Sequence, residues 1–406
     1  MVKSFTAKPR FTLSLAFACF AVQGVANGML GVAWPSIRQG FGLPLDMLAS
    51  LLATSTIGYV TGSLSAGTLM RHIGIGRSLL VGNVIAAMGL LGYAFAPSWA
   101  TFVLFGILVG WSSGVVGASL NIYIAATKSV RTMNWMHAMY GIGATIGPLV
   151  MTAAVASQPG WRTGYLIAAS AHLILGMLFL LALRHMDYRG PAVSQLSETG
   201  QPLKKYSPLE ALKMPVVLLG ILLFLFYTGV ETTTGQWSFS LFTEGRSMGA
   251  YLAGLSTSIY WAMLTIGRIV FGATADRIGT ERLLRWSMLG TIISATLFLN
   301  RTTVGGIASV ALMGLSLSAI FPTLMSDTPN RVGRSNAATA IGLQTGAASV
   351  GLTILPGLAG VLAARIGLEI LGPFLIGASL MMFITNEVSV VLARRNREAI
   401  ETATVI

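Results

Sequence analysis

Apolar runs as long as a bilayer is thick recur along this chain, and no other feature of the sequence limits its fold so strongly. A helix of about 20 residues crosses the hydrocarbon core. The runs between polar or Gly/Pro breaks predict twelve helices, at 11–34, 46–69, 78–97, 100–126, 134–156, 163–183, 214–238, 249–273, 283–300, 304–326, 335–363 and 368–392. Twelve such spans take up ~240 of the 406 residues and leave short loops. Apolar residues form 54% of the chain and charged residues 10%, which excludes a soluble enzyme and indicates an all-α membrane protein. The first run follows Lys3, Lys8 and Arg10 as a signal peptide would. At 24 residues it exceeds the usual apolar core of about 7–15 and is read as the first helix. Cys19 is the one cysteine, so no intramolecular disulfide is available and stability must come from helix packing.

The net charge of +13 does not form a nucleic-acid surface, because the basic residues are scattered in ones, twos and threes between apolar runs. It fits membrane orientation instead. With an even number of spans, one side holds both ends of the chain and 20 of the 26 Lys and Arg residues, including Arg71, Arg77, Lys128, Arg131, Lys204, Lys205 and Arg277. The other side holds five, Arg38, Arg162, Arg246, Arg301 and Arg365, and Arg268 lies within a helix. Short loops rich in Lys and Arg stay cytoplasmic, so both termini are expected in the cytoplasm of a cell (inner) membrane protein. The longest connection carries Pro191, Pro202 and Pro208 near the midpoint. It predicts two six-helix halves, 1–185 and 214–406, joined by a cytoplasmic linker over 186–213.

Two loops match each other at an offset of 205 residues. The first runs from Gly67 through Arg71, His72 and Gly74 to Arg77; the second runs from Gly272 through Asp276, Arg277 and Gly279 to Arg282. Each joins an even-numbered helix to the next by a short basic turn, which makes the chain a duplicated six-helix unit.

Gly272, Asp276, Arg277 and Gly279 match the loop signature G-x-x-x-D-R-x-G, and through it the chain resembles the major facilitator superfamily. That resemblance implies two pseudo-symmetric halves, a substrate near the midplane and alternating access. It also implies a cytoplasmic latch, to which Arg268, two turns before Asp276, is assigned. In the first copy Arg71 stands at the aspartate position and His72 at the arginine, so only Asp276 can supply the latch carboxylate. Gly24, Asn27, Pro35, Asn121, His137, Gly141, Gly143, Gly147, Pro148, Glu231, Trp237, Phe321, Pro322 and Thr323 are similar to the fucose:proton symporter branch and its uncharacterised relatives. The carboxylate positions of that branch in helices 1 and 4 fall on Gly31 and Gly117, so its coupling mechanism does not carry over residue by residue.

Charge inside a span costs about 2.5–3.5 kcal/mol on insertion scales, so the polar residues retained there are the candidates for chemistry. Glu231 is the one acid far from either end of its helix and is the leading proton-coupling group, followed by His137, whose imidazole titrates near physiological pH. Gln23 and Asn27 share one face of helix 1, and Asn27 lies opposite Thr232 in the repeat, beside Glu231. They are substrate-binding candidates with Asn121, Trp237, Tyr260 and Gln344, while Trp237 also suits an outer aromatic belt. His172, isolated in its segment, reads as a packing residue. Gly143-x-x-x-Gly147-Pro148 permits close helix approach and resembles an antiporter signature. Gly110-x-Ser112-x-Gly114 lies within a helix, where no nucleophile elbow forms, and no P-loop or metal motif is present.

These features predict a secondary transporter of a small polar, sugar-like solute, coupled to protons. It is expected to sit among membrane lipids as a monomer, without a cofactor, metal or nucleic-acid partner. Proton-coupled efflux of an amphipathic compound and a receptor on a transporter scaffold are the alternatives. A reporter fused after Ile406 is expected to be active in the cytoplasm; activity confined to the outer side would reject the orientation. Asp276→Asn is expected to slow transport more than a change at Arg71, and wild-type turnover at equal expression would remove the latch.

Overall fold

The computed structural model describes residues 9–127, 130–183, 186 and 208–405, and these are helical with no strand. The helices are α1 (Pro9–Phe41), α2 (Leu48–Phe95), α3 (Trp99–Thr127), α4 (Val130–Val155), α5 (Trp161–Ala182) and the short α6 (Pro208–Ala211). They continue with α7 (Pro215–Ser240), α8 (Ala250–Ile278), α9 (Thr280–Leu297), α10 (Thr303–Leu317), α11 (Ile320–Val332), α12 (Arg334–Ile366) and α13 (Leu371–Val405). Most of the expected 186–213 linker lies outside the described residues.

Ten helical stretches among the described residues are long and apolar enough to cross a membrane. The difference from twelve has two causes. Residues Leu45–Phe95 form one stretch in which the helix continues through the expected loop and breaks only at Gly74. The ninth expected span, α9, carries Glu281, Arg282 and Arg285 in its first turns, which lower its hydropathy. The expected span at 304–326 is interrupted between α10 and α11. Pro322 has no N–H to donate to the Ser318 carbonyl four residues back, which removes one bond of the ladder there, and Thr303–Val332 is still one of the ten stretches. Conversely, α1 continues six residues beyond Pro35, well past its expected end.

The duplicated loops share a backbone conformation as well as a sequence pattern. Gly74 has φ 80° and ψ 165°, and its repeat partner Gly279 has φ 84° and ψ 142°. A side chain is strained in that region, and glycine is not.

Contacts divide the chain into two compact units, one of Met1–Val193 with Gly235–Ala262 and the other of Ser194–Thr234 with Met263–Ile406. In the first unit α1 crosses α4 and α2 crosses α3 on glycine. A Cβ on Gly143 would collide with the Ala21 carbonyl of α1, and one on Gly24 with the Tyr140 carbonyl of α4. Such contact supplies the dispersion attraction that replaces a hydrophobic force in lipid. The ends of α1, α2, α3 and α5 are joined by rings, with Tyr93 stacked on Phe102 at 4.1 Å and Trp99 on Phe102 at 5.5 Å. In the second unit α7 meets α12 at Gly229, which lies 205 residues after Gly24 and abuts Leu355, and Thr228 Oγ1 donates to the Ala348 carbonyl at 2.8 Å. The repeat therefore extends to which positions pack closely.

Gly143→Val should lower the melting temperature of the detergent-purified protein, since overpacking costs ~1–3 kcal/mol. Gly342→Ala, where a Cβ meets nothing within 4 Å, should not. Equal melting of Gly143→Val and wild type would contradict the close crossing.

Candidate functional site

In the second unit, Glu231 on α7 pairs with Arg268 on α8, Arg268 Nη2 lying 3.4 Å from Glu231 Oε1. Their side chains are 16% and 29% exposed. Helical geometry identifies what they face. Ile266, Ile269 and Val270 form the exposed apolar side of α8, and at about 100° per residue Arg268 points about 160° away from Ile266. On α7 the exposed leucines are Leu218 and Leu222, and Glu231, nine residues beyond Leu222, lies about 180° round from it. Both charges therefore sit on faces turned away from the lipid sides of their helices. Such faces meet the bundle interior or a water-filled cavity, where a membrane protein retains ionised groups.

Tyr227, one turn before Glu231, stands beside both charged groups. Phe321, of the Phe-Pro-Thr sequence, packs on Phe224 at 5.2 Å and on Tyr227 at 5.7 Å, so α11 buttresses the α7 turn that carries the acid. Gln344 is buried and accepts from Thr328 Oγ1 at 2.9 Å, tying α12 to α11. Arg268 thus has an intramembrane partner in addition to the loop latch that the sequence suggested. The Asp276 side chain lies outside the described ones, while Gly272 is exposed and Gly279 makes the turn before α9.

The polar candidates of the first unit fall into two groups. Asn27 and His137 are exposed, and Asn27 Nδ2 donates to Tyr140 Oη at 3.1 Å. Phe20 meets His137 edge-on at 5.5 Å and Tyr140 at 6.3 Å. This strip also avoids lipid: none of the described residues of α1 is an exposed large hydrophobic, and the apolar side of α4 is formed by Ile142, Ile146 and Leu149. Those residues lie on the opposite face from His137 and Tyr140. The second group is internal. Gln23 is buried and donates to the Ser113 carbonyl at 3.0 Å, bracing α1 on α3. Asn121 Oδ1 is buried without a hydrogen-bond partner among the described residues. Trp237 and Tyr260 are almost wholly enclosed, so Trp237 is no member of an exposed belt. His172 is buried with its Nδ1 2.9 Å from Asn83 Oδ1, and Asn83 Nδ2 lies 3.3 Å from Cys19 Sγ, an arrangement that braces α1, α2 and α5.

Two charge systems were not anticipated from the sequence. In the first unit Arg38 Nη2 donates to Glu244 Oε1 at 2.7 Å. In the second, Arg331 binds Asp327 at 2.7 Å, Asn386 at 3.0 Å and Ser389 at 3.2 Å, while Arg285 grips Glu387 through two nitrogens and Arg394 pairs with Glu281. The i, i+4 spacing of Asp327 and Arg331 was a usable signal; Arg38 and Glu244, 206 residues apart, offered none. Among the described residues no group of three or more His, Cys, Asp or Glu could hold a metal ion.

Known proteins share this architecture. A glucose/galactose transporter of Brucella abortus is 27% identical over 388 residues, covering 89% of this chain and 89% of that protein. Bypass of stop codon protein 6 of Saccharomyces cerevisiae is 23% identical over 384 residues, covering 86% of this chain and 76% of that protein. The crystal structure of a mutant of the nucleoside transporter NupG superposes with a TM-score of 0.77 at 14% identity, covering 93% of this chain and 99% of that one. The family model described as Major Facilitator Superfamily matches residues 16–299 and 246–404. The chain therefore belongs to the Major Facilitator Superfamily and is an integral membrane protein, a secondary transporter of small solutes rather than an enzyme.

Proposed function

We propose that this chain moves a small polar, sugar-like solute across the cell membrane by alternating access, and that Glu231 couples the movement to protons. The observation that carries this reading is the Glu231–Arg268 pair on faces turned from lipid. An ionised Glu231 attracts Arg268 and a protonated one does not, so the pair has two states that differ by one proton. Closing such a site changes the solvation of both charges, and that change is what a coupled cycle requires. His137, on the exposed strip of α4, is the second group able to carry a proton.

Asn27 and Tyr140 supply exposed amide and hydroxyl groups of the kind that recognise sugar hydroxyls. Gln23, Asn121, Trp237, Tyr260 and Gln344 support recognition from more enclosed positions. The glucose/galactose transporter among the relatives favours a sugar-like solute. The Gly74/Gly279 and Gly24/Gly229 correspondences favour two repeated halves, 1–185 and 214–406, and the 20-to-5 division of Lys and Arg favours cytoplasmic termini for a monomer in the inner membrane. The Gly143-x-x-x-Gly147 segment is accounted for by its contacts with Ala21 and Val25 of α1, so it lends no weight to efflux.

Glu231→Gln keeps the shape of the side chain and removes its titration. In proteoliposomes this variant should lose accumulation driven by a pH gradient, by about tenfold or more, while still binding or exchanging solute. Concentrative uptake at the wild-type level with unchanged pH dependence would make Glu231 structural and move coupling to His137.

A further inference from the structure

Resting on that functional reading and extending it, we propose that the transported solute is an anion, a sugar-like molecule bearing a carboxylate, and that Arg268 is the group that recognises it. Arg268 lies inside a span, five residues before its expected end at 273, and a cation there is retained where it faces a cavity or a partner. Neutralising an acid does not require it, since a buried carboxyl can simply take a proton.

The geometry of the pair points the same way. In this unit Arg285 reaches Glu387 at 2.7 to 3.0 Å through two nitrogens and Arg331 reaches Asp327 at 2.7 Å, while Arg301 and Glu369 stand at 3.9 Å. Arg268 and Glu231 stand at 3.4 Å. That is long for a charge-assisted bond, whose usual range is about 2.7–2.9 Å. The guanidinium is also the more exposed partner, at 29% against 16%, on a helix face turned from lipid. On this proposal the solute binds on that face.

A planar guanidinium matches a carboxylate through two parallel hydrogen bonds, a geometry that an ammonium or an amide does not offer. The solute carboxylate would take the place of Glu231 on Arg268 as Glu231 accepts a proton from water. One anion and one proton then bind together, and the net charge of the site does not change.

The test uses the purified full chain in detergent and solute pairs that differ in charge: glucose against glucuronate, and galactose against galacturonate. Binding is read as a rise in melting temperature with ligand concentration, because a ligand that binds the folded state stabilises it. Wild type should favour the uronate of each pair. Arg268→Gln should bind the uronate about 10- to 100-fold more weakly, the scale of a lost charged hydrogen-bonded contact, and Arg268→Lys should fall between. Glu231→Gln, which removes the competing carboxylate, should bind the uronate more tightly than wild type. Variants are compared only if they elute as a single folded species. A hexose that binds better than its uronate, with affinity unchanged in Arg268→Gln, would overturn the proposal while leaving the sugar-like reading in place. Failure of all four sugars would remove the sugar-like reading. The anion proposal would then be decided by lactate against glycerol, and a lactate response that is absent or insensitive to Arg268→Gln would overturn it.

Discussion

A bilayer core offers no water to a backbone amide, and every other feature of this chain is arranged around that fact. Helices satisfy the amides internally, but lipid gives them no hydrophobic reason to associate. Close approach has to supply the attraction, and in both units it is obtained where glycine removes the Cβ that would hold two backbones apart. Gly24 and Gly143 do this between α1 and α4, and Gly351 against the Leu225 carbonyl between α12 and α7. The same solvent makes an ionised side chain expensive, so the few that remain within helices stand out.

Against this background the three kinds of charge in the molecule separate by geometry. Arg331 and Arg285 are held by several short contacts and pin α9, α11 and α13 together. Arg38 and Glu244 close a tight pair between the end of α1 and the turn after α7. Glu231 and Arg268 stand farther apart than these, at 3.4 Å, on faces away from lipid. A pair whose attraction depends on one proton can occupy two states without rearranging the helices around it, whereas the tighter clusters serve to keep those helices in place.

Much of the architecture was legible because it depends on local rules. Hydropathy located the spans, and the 205-residue match identified Gly74 and Gly279, whose positive φ explains why the loop pattern needs glycine at that position. Boundaries were less legible. Pro35 suggested an end to the first helix, yet α1 runs on to Phe41, while the span read over 304–326 is divided between α10 and α11. Glu231 was conspicuous as an intramembrane acid, but its partner was not: Arg268 lies 37 residues away on another helix, and no periodicity links them. Its proximity in sequence to Asp276 suggested a latch, and the pairing with Glu231 is a tertiary contact that no local pattern announces. His172 looked isolated for the same reason, its partner Asn83 being 89 residues away.

The claim on which the account depends is that the Glu231–Arg268 pair serves transport and not merely folding. Uptake driven by a pH gradient in the Glu231→Gln, Arg268→Gln double variant tests it most directly, with the melting temperature of the same protein as the control for folding. Removing both charges leaves no unpaired ion, so the double variant should melt close to wild type and above Arg268→Gln alone. The account predicts that this well-folded protein no longer accumulates solute against its gradient. Accumulation at the wild-type level would contradict it and reduce the pair to a structural contact.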